Sequence, residues 1–246
     1  MCGRFTLALS PEDIAALLRM NQELDDELGL APRHNITPSQ PILAAVQQTE
    51  QDNPEPAFLQ WGLVPSWAND PSIGNRMINA RSETVSEKPA FRDAFRSRRC
   101  LIPADGFYEW QLRGKSKQPW MFRAKDAPGF CFAGLWGTWS PRNGGQSLNT
   151  CTILTTQANE LMAPVHHRMP VIVPADQHDV WWKAEAGDPL LQQLLSPFPA
   201  AEMSAHPVST RINSPVNDGP ECIVPVELSA DLHQTDGDDD TQGLLF

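Results

Sequence analysis

Nine short runs rich in β-branched and aromatic residues, at 3–8, 41–47, 57–62, 100–103, 106–112, 119–124, 130–139, 150–156 and 169–173, are broken by Gly, Pro and Asn turns. No long helices alternate with them, which argues against a doubly wound parallel sheet. The pattern predicts an α+β fold: a strand-rich, largely antiparallel sheet or barrel-like core with flanking helices. One helix is expected from Ser10-Pro11-Glu12-Asp13, where a capping side chain, a first-turn proline and acids at the positive dipole end precede Ile14, Leu17 and Leu18. Others are expected at 89–98, with Phe91 and Phe95 on one face and Arg92, Arg96 and Arg99 on another, and at 174–184 and 188–195. No internal repeat or linker divides residues 1–228, which read as one domain.

The charge is unevenly spread. The chain carries 19 Lys and Arg against 30 Asp and Glu, a net −11 that argues against a nucleic-acid partner when taken whole. Residues 76–125, however, hold twelve of the basic residues and only five acids, a local balance of +7. The remainder is strongly acidic, and residues 231–246 alone contain five Asp and no Lys or Arg, which marks 229–246 as a disordered acidic tail.

No apolar run approaches the ~20 residues of a transmembrane helix, and the N-terminus lacks the layout of a signal peptide. A cytoplasmic protein without membrane contact is expected. Its five cysteines, Cys2, Cys100, Cys131, Cys151 and Cys222, then read as free thiols. No Cys/His spacing suits a metal, so neither metal nor cofactor is expected. Cys100, Cys131 and Cys151 sit in apolar runs and read as small buried hydrophobes. Cys2 differs by position. Aminopeptidase trimming of Met1 before a small residue would leave a free α-amine, with a pKa of about 7.7–8.0, beside a thiol of about 8.5. Such a 1,2-aminothiol condenses with an aldehyde, first as an imine and then as a thiazolidine. The alternative is an incidental second-position cysteine.

Several segments belong together: Met1-Cys2-Gly3-Arg4-Phe5, Arg33-His34-Asn35-Ile36-Thr37-Pro38, Trp61-Gly62-Leu63-Val64-Pro65-Ser66-Trp67, Met77-Ile78-Asn79-Ala80-Arg81-Ser82-Glu83-Thr84, Ala104-Asp105-Gly106-Phe107-Tyr108-Glu109-Trp110, Val165-His166-His167-Arg168-Met169-Pro170 and His206-Pro207-Val208-Ser209. In this order they resemble the SOS response-associated peptidase family, the abasic-site crosslinking proteins. The resemblance implies covalent capture of abasic sites in single-stranded DNA by an N-terminal cysteine, as a thiazolidine. Matched residue by residue, it makes Cys2 the nucleophile. Asn79 holds its main chain and the sugar, Glu109 is the general acid/base at the amine, and His166 protonates the sugar ring oxygen. Arg4, Arg81 and Arg168 match phosphate ligands, with Asn35, Trp67 and Thr155 as neighbours. Family members usually carry an acid where this chain has His167.

The chemistry asks for these residue types. Amine attack needs a base within hydrogen-bond reach, and ring opening needs a donor titrating near neutrality. Glu109, between Tyr108 and Trp110 in an apolar run, would be costly to bury without a purpose. Trp67 reads as a wedge or stacking platform, or as a plain core residue, and Arg92, Arg96, Arg98 and Arg99 as a DNA-facing or simply solvated helix face. Two rival functions are open: a cysteine peptidase with Cys2, His166 and Asn79 or Glu109 as its catalytic set, and a non-catalytic reader of single-stranded DNA or junctions. Strand cleavage by β-elimination from the imine is compatible with the same residues as a side activity. The chain ends in Gln242-Gly243-Leu244-Leu245-Phe246, either a solvated end or a linear motif resembling the Gln-x-x-Leu-Phe pentapeptide that binds the bacterial sliding clamp. A monomer, associated with the nucleoid when on DNA, is expected.

Overall fold

The computed structural model describes residues 2–20, 24, 28–47 and 53–228. The acidic tail expected at 229–246 and its terminal motif lie outside the described residues. In chain order the elements are β1 (Phe5–Leu7), α1 (Pro11–Leu18), β2 (Arg33–Ile36), β3 (Pro41–Val46), β4 (Glu55–Trp61), β5 (Asn79–Arg81), α2 (Arg92–Ser97), β6 (Arg99–Ala104), β7 (Gly106–Arg113), β8 (Ser116–Ala124), β9 (Phe130–Trp139), β10 (Leu148–Gln157), β11 (Arg168–Pro170), β12 (Ile172–Val173), α3 (His178–Lys183), α4 (Pro189–Leu194) and β13 (Met203–Pro207).

Five strands close on themselves: β3 pairs β4, β4 pairs β10, β10 pairs β9, β9 pairs β6 and β6 pairs β3. Only the β4–β10 step of this ring is parallel. A second sheet runs β13-β8-β7-β1-β2, antiparallel throughout. The chain passes from β6 through Asp105 directly into β7, so one extended segment serves both sheets. Where they meet, apolar alternation buries an aromatic cluster. Phe5 lies edge-on to Trp61 and to Phe132, with centroids 5.3 and 5.7 Å apart, and Phe107 stacks on Phe122 at 5.3 Å. Aromatic pairs of this geometry stabilise beyond their buried area, by about 0.5–1.5 kcal/mol each.

Helix α1 starts as its sequence dictates: the Ser10 side chain accepts from the Asp13 amide at 3.1 Å, with Pro11 in the first turn. The helix expected at 89–98 shrinks to α2, because Arg98 leaves helical geometry and Arg99 opens β6. Arg99 therefore lies on no solvated face. It is buried, donates to the carbonyls of Trp182 and Ala184 at 3.2 and 2.6 Å, and sits over the Trp181 ring. The run expected as one strand at 169–173 breaks at Val171, whose amide and carbonyl bond Leu154 on β10 and Ala133 on β9, so β11 and β12 serve different neighbours.

The edge of β10 is shared. Strand β4 occupies it at Thr150 and Cys151, and β5 from Ile153 to Thr155. Between them the chain departs at Gly62 and returns after Gly74. The two glycines touch: a Cβ on either would stand 2.6 Å from the other's carbonyl oxygen, and Gly62 has φ of +135°. Both sterics and backbone therefore demand glycine at 62. Gly62→Ala should cost about 2–4 kcal/mol of unfolding free energy, measurable by urea titration; a loss below about 0.5 kcal/mol would mean that the pinch relaxes freely.

Candidate functional site

Strand β10 assembles one half of the site. On one side β5 places Asn79 opposite Ile153 and Arg81 opposite Thr155. On the other, β11 places Arg168 opposite Gln157. Arg168 is buried. Its guanidinium grips both carboxylate oxygens of Glu83 and also donates to the Thr155 carbonyl at 2.6 Å. The bidentate pair holds the Glu83 carboxyl below the usual carboxylate range. Thr155 itself is buried, its hydroxyl within 3.4 Å of the Ala80 carbonyl. Arg81, by contrast, is exposed. Asn79 donates weakly to the Ile153 carbonyl at 3.5 Å, and its side-chain oxygen is buried without an acceptor's partner among the described residues.

The second sheet supplies the other half. Strand β1 pairs β7 with Phe5 opposite Phe107, and the Tyr108 amide bonds the Arg4 carbonyl at 3.0 Å, carrying the N-terminal segment alongside Glu109. Cys2 is fully buried. Burial pushes its thiol pKa well up, and the negative charge of Glu109 pushes the same way. Glu109 is only 4% exposed, and burial raises its carboxyl to about 7. An apolar strand thus carries a carboxyl poised to exchange protons near neutral pH beside the cysteine.

Two contacts join the halves. The Trp61 ring packs on Phe5 while its Nε1–H donates to the Ile78 carbonyl at 2.9 Å, one residue before Asn79. From β7, Gln111 lies on the same face as Glu109 by the two-residue period of a strand. Its amide donates to the Pro164 carbonyl at 3.2 Å, while its oxygen accepts from Trp120 Nε1 at 3.2 Å. This strap ties the segment before His166 to the strand of Glu109. The His166 Nδ1 accepts from the Arg168 amide at 3.0 Å, which leaves the proton of the neutral ring on Nε2. The Arg168 carbonyl, 3.1 Å from the same nitrogen, can accept a hydrogen bond from it when the ring is protonated. Burial lowers the His166 pKa, and the exposed His167 ring stacks on it at 4.5 Å.

The remaining expected DNA ligands divide by exposure. Trp67 is 52% exposed, so the core alternative for it falls. Asn35 is fully buried, and its amide nitrogen donates to the carbonyls of Ile212, Ser214 and Asn217. Its oxygen accepts from Arg4 Nη1 at 2.9 Å; Arg4 also donates to the carbonyls of Ile212 and Asn213 and lies over the Trp110 ring. Asn35, Thr155 and much of Arg4 and Arg168 are thus committed to internal bonds that shape the site's walls, while Arg81 and Trp67 face solvent. The sequence alone assigns no role to Glu83 or Gln111. The period-two relation to Glu109 was the available signal for Gln111, and adjacency to Arg81 the signal for Glu83. Among the described residues no group of His, Cys, Asp and Glu could hold a metal ion, and no helix is long and apolar enough to cross a membrane.

Comparison with known proteins places this arrangement in context. The family model of the SOS response associated peptidase (SRAP) matches residues 1–215. The abasic site processing protein YoqW of Bacillus subtilis is 46% identical over 225 residues, covering 91% of this chain and 99% of its own. HMCES of Gallus gallus, also titled an abasic site processing protein, is 35% identical over 93% of this chain and 79% of its own. YedK of Escherichia coli, with the same title, is 30% identical over 92% of this chain and all of its own. A crystal structure of a Bacteroides thetaiotaomicron protein superposes with a TM-score of 0.81 at 26% identity, covering 92% of this chain and 100% of that one.

The raised carboxyl of Glu109 makes stability depend on pH with an unusual sign. Its folded pKa of about 7 exceeds the ordinary 4.5, so the folded chain binds more protons between those values. Its contribution is therefore fully present below about pH 4.5 and lost as pH rises through 7, by up to about 3 kcal/mol. Urea unfolding at pH 5 and pH 8 should show this loss, and Glu109→Gln should remove it; an unchanged difference in the variant would assign the pH dependence to other groups.

Proposed function

The chain belongs to the SOS response associated peptidase family, and from that membership we propose that it captures abasic sites in single-stranded DNA through Cys2, in the response to DNA damage. The single observation that carries the reading is a fully buried Cys2 beside a buried Glu109 whose carboxyl sits near 7. The names of the relatives YoqW, HMCES and YedK support abasic-site processing as the activity.

In this mechanism removal of Met1 frees the α-amine of Cys2. His166 donates a proton to the ring oxygen of the abasic sugar as the bond from that oxygen to the anomeric carbon breaks, and the anomeric hydroxyl gives up its proton to solvent, leaving the aldehyde. The amine attacks the aldehyde carbon, and Glu109 carries one proton from the nitrogen to the new alkoxide, giving a carbinolamine. Glu109 then carries the second nitrogen proton to the departing hydroxyl, water leaves and an imine forms. The thiol sulfur then adds to the imine carbon while its proton passes to the nitrogen, closing the thiazolidine. Asn79 holds the Cys2 main chain and the sugar. Arg81 and Trp67, exposed beside the site, meet phosphate and base, and Arg4 and Arg168 set its walls.

The order of nucleophiles follows from electrostatics. A buried thiol next to a carboxylate is a poor source of thiolate, so sulfur acts second, on an electrophile already tethered to its own residue. The same reasoning disfavours the peptidase alternative, which needs thiolate for its first step. Cys2→Ser, or a retained N-terminal extension that caps the amine, should abolish a denaturant-resistant adduct on an abasic oligonucleotide, read by gel and by mass of the N-terminal peptide. A full yield with the amine capped would overturn the mechanism. Glu109→Gln should slow adduct formation about 10²-fold or more, with affinity for single-stranded DNA within about twofold; an equal loss of binding would make Glu109 a structural residue.

We further propose that the terminal 242–246 segment docks on the bacterial sliding clamp, a reading supported only by its sequence. Deleting these five residues should leave the adduct rate unchanged and remove clamp binding in a pull-down. Absence of clamp binding by the full chain would make the motif a coincidence.

A further inference from the structure

Beside α1 the surface is hollowed. On α1 the spacing i, i+3, i+4 turns Asp13, Ala16 and Leu17 to one side. They line a cavity of about 640 Å³ together with Phe130 at the start of β9, Ile172 on β12 and Phe198 beyond α4. Small residues at 16, 124, 127 and 175, all alanine, keep it open. A second hollow of about 460 Å³ adjoins it, lined by Leu194 and Pro197 and sharing Ile172, Pro174, Phe198 and Glu202 with the first. The two form one groove, and Cys2, Asn79, Glu109 and His166 line neither part.

The rim of this apolar groove is acidic. Asp13, Asp126, Asp176 and Glu202 are exposed along it, and no Lys or Arg lines either hollow. None of the four carboxylates forms an ion pair among the described residues. The cations nearest in the chain are Arg19, which donates to the Ala175 carbonyl at 3.1 Å, and the exposed Lys125. The sequence after α1 extends the bias, with Glu23, Asp25, Asp26 and Glu27 and no Lys or Arg in 21–27. Like charges repel, so this face disfavours a nucleic-acid backbone. It disfavours the chain's own tail for the same reason, since 229–246 carries five Asp. An apolar floor with unpaired carboxylates around it is complementary to a segment that is apolar and cationic.

We propose that this groove docks a short segment of another protein, in which a large apolar side chain is flanked by Lys or Arg. The anchor enters the hollow between Leu17, Phe130 and Phe198, and the cations meet Asp13, Asp126, Asp176 and Glu202. The volumes suit the one or two anchors of a peptide laid in a groove. Such a contact is smaller than the roughly 1,600 Å² of a standard interface, and an affinity on the order of 1–100 µM is expected. The groove is a recruiting surface whose residues are separate from those that capture the lesion, so a partner and DNA can be held together. The inference stands apart from the abasic-site reading.

The test pans the full chain against random peptides displayed on phage, then measures the enriched peptide, synthesised with a fluorescent label, by anisotropy. Enriched peptides should carry Lys or Arg on both sides of an aromatic residue or Leu. Ala16→Trp, which fills the groove from an exposed position, should weaken binding about tenfold or more. Asp126→Lys with Glu202→Lys, also exposed, should do the same, and a scrambled peptide of equal charge should bind as poorly. The abasic-DNA adduct, read separately, should be unchanged in all of these variants. No enrichment, enriched peptides without cations, equal binding of the scrambled peptide, or binding that both variants retain overturns the proposal. Truncation after residue 228 that tightens peptide binding about tenfold would make the chain's own tail the occupant and overturn it too. Self-association in sedimentation that Ala16→Trp abolishes would assign the groove to a second copy, with the same result.

Discussion

One indole holds the site together. The ring of Trp61 packs against Phe5, on the strand that follows Cys2, and its nitrogen bonds the carbonyl of Ile78, next to Asn79. The cysteine segment and the carboxyl belong with the sheet of β1 and β7, whereas Asn79, Arg81 and Arg168 lie on short strands paired to β10 of the other sheet, with His166 just before one of them. Without a rigid joint, two sheets sharing a single extended segment could slide by a fraction of an ångström, and proton transfer tolerates little such error. A buried aromatic with one polar handle serves both purposes, since packing fixes the ring and the hydrogen bond fixes its rotation.

The electrostatics follow from the same burial. Taking Glu109 out of water raises its carboxyl to about 7, and taking Cys2 out of water silences its thiol. The two shifts have one cause and different effects: a carboxyl that can accept and return protons near neutrality, and a thiol held in its protonated form. Glu83 shows the opposite regime, where the bidentate hydrogen bonds from Arg168 hold its carboxyl below the usual range. One fold therefore contains a mobile proton at Glu109 and a fixed ion pair at Glu83 and Arg168.

Much of this was legible in the sequence, and the illegible parts have a common reason. Strands rich in β-branched and aromatic residues, such as β9 and β10, and the capped start of α1 are legible within about ten residues. Strand β2, with Arg33, His34 and Asn35, has no apolar alternation, and is a strand because its neighbours hold it: Tyr108 donates to the His34 carbonyl, and Asp218 accepts the amides of His34 and Asn35. Strand β5 is three residues long and exists only as a partner for the free edge of β10. Arg99 looked like a helix-face residue because its role, holding the end of α3 about 80 positions away, has no local signature. The chemical residues stood out by type and motif, whereas the division between exposed ligands and buried walls depended on contacts distant in sequence, such as Asn35 with the segment 212–217.

That last contact has a consequence in time. Arg4 and Asn35, at the start of the chain, are clasped by carbonyls of 212–217 and by Asp218, near the end of the described residues. A ribosome releases the cysteine first and the clasp last, and domains generally complete their folding only once their chain is available. The N-terminal segment is thus seated only after most of the chain has been made, and until then it stands open to solvent.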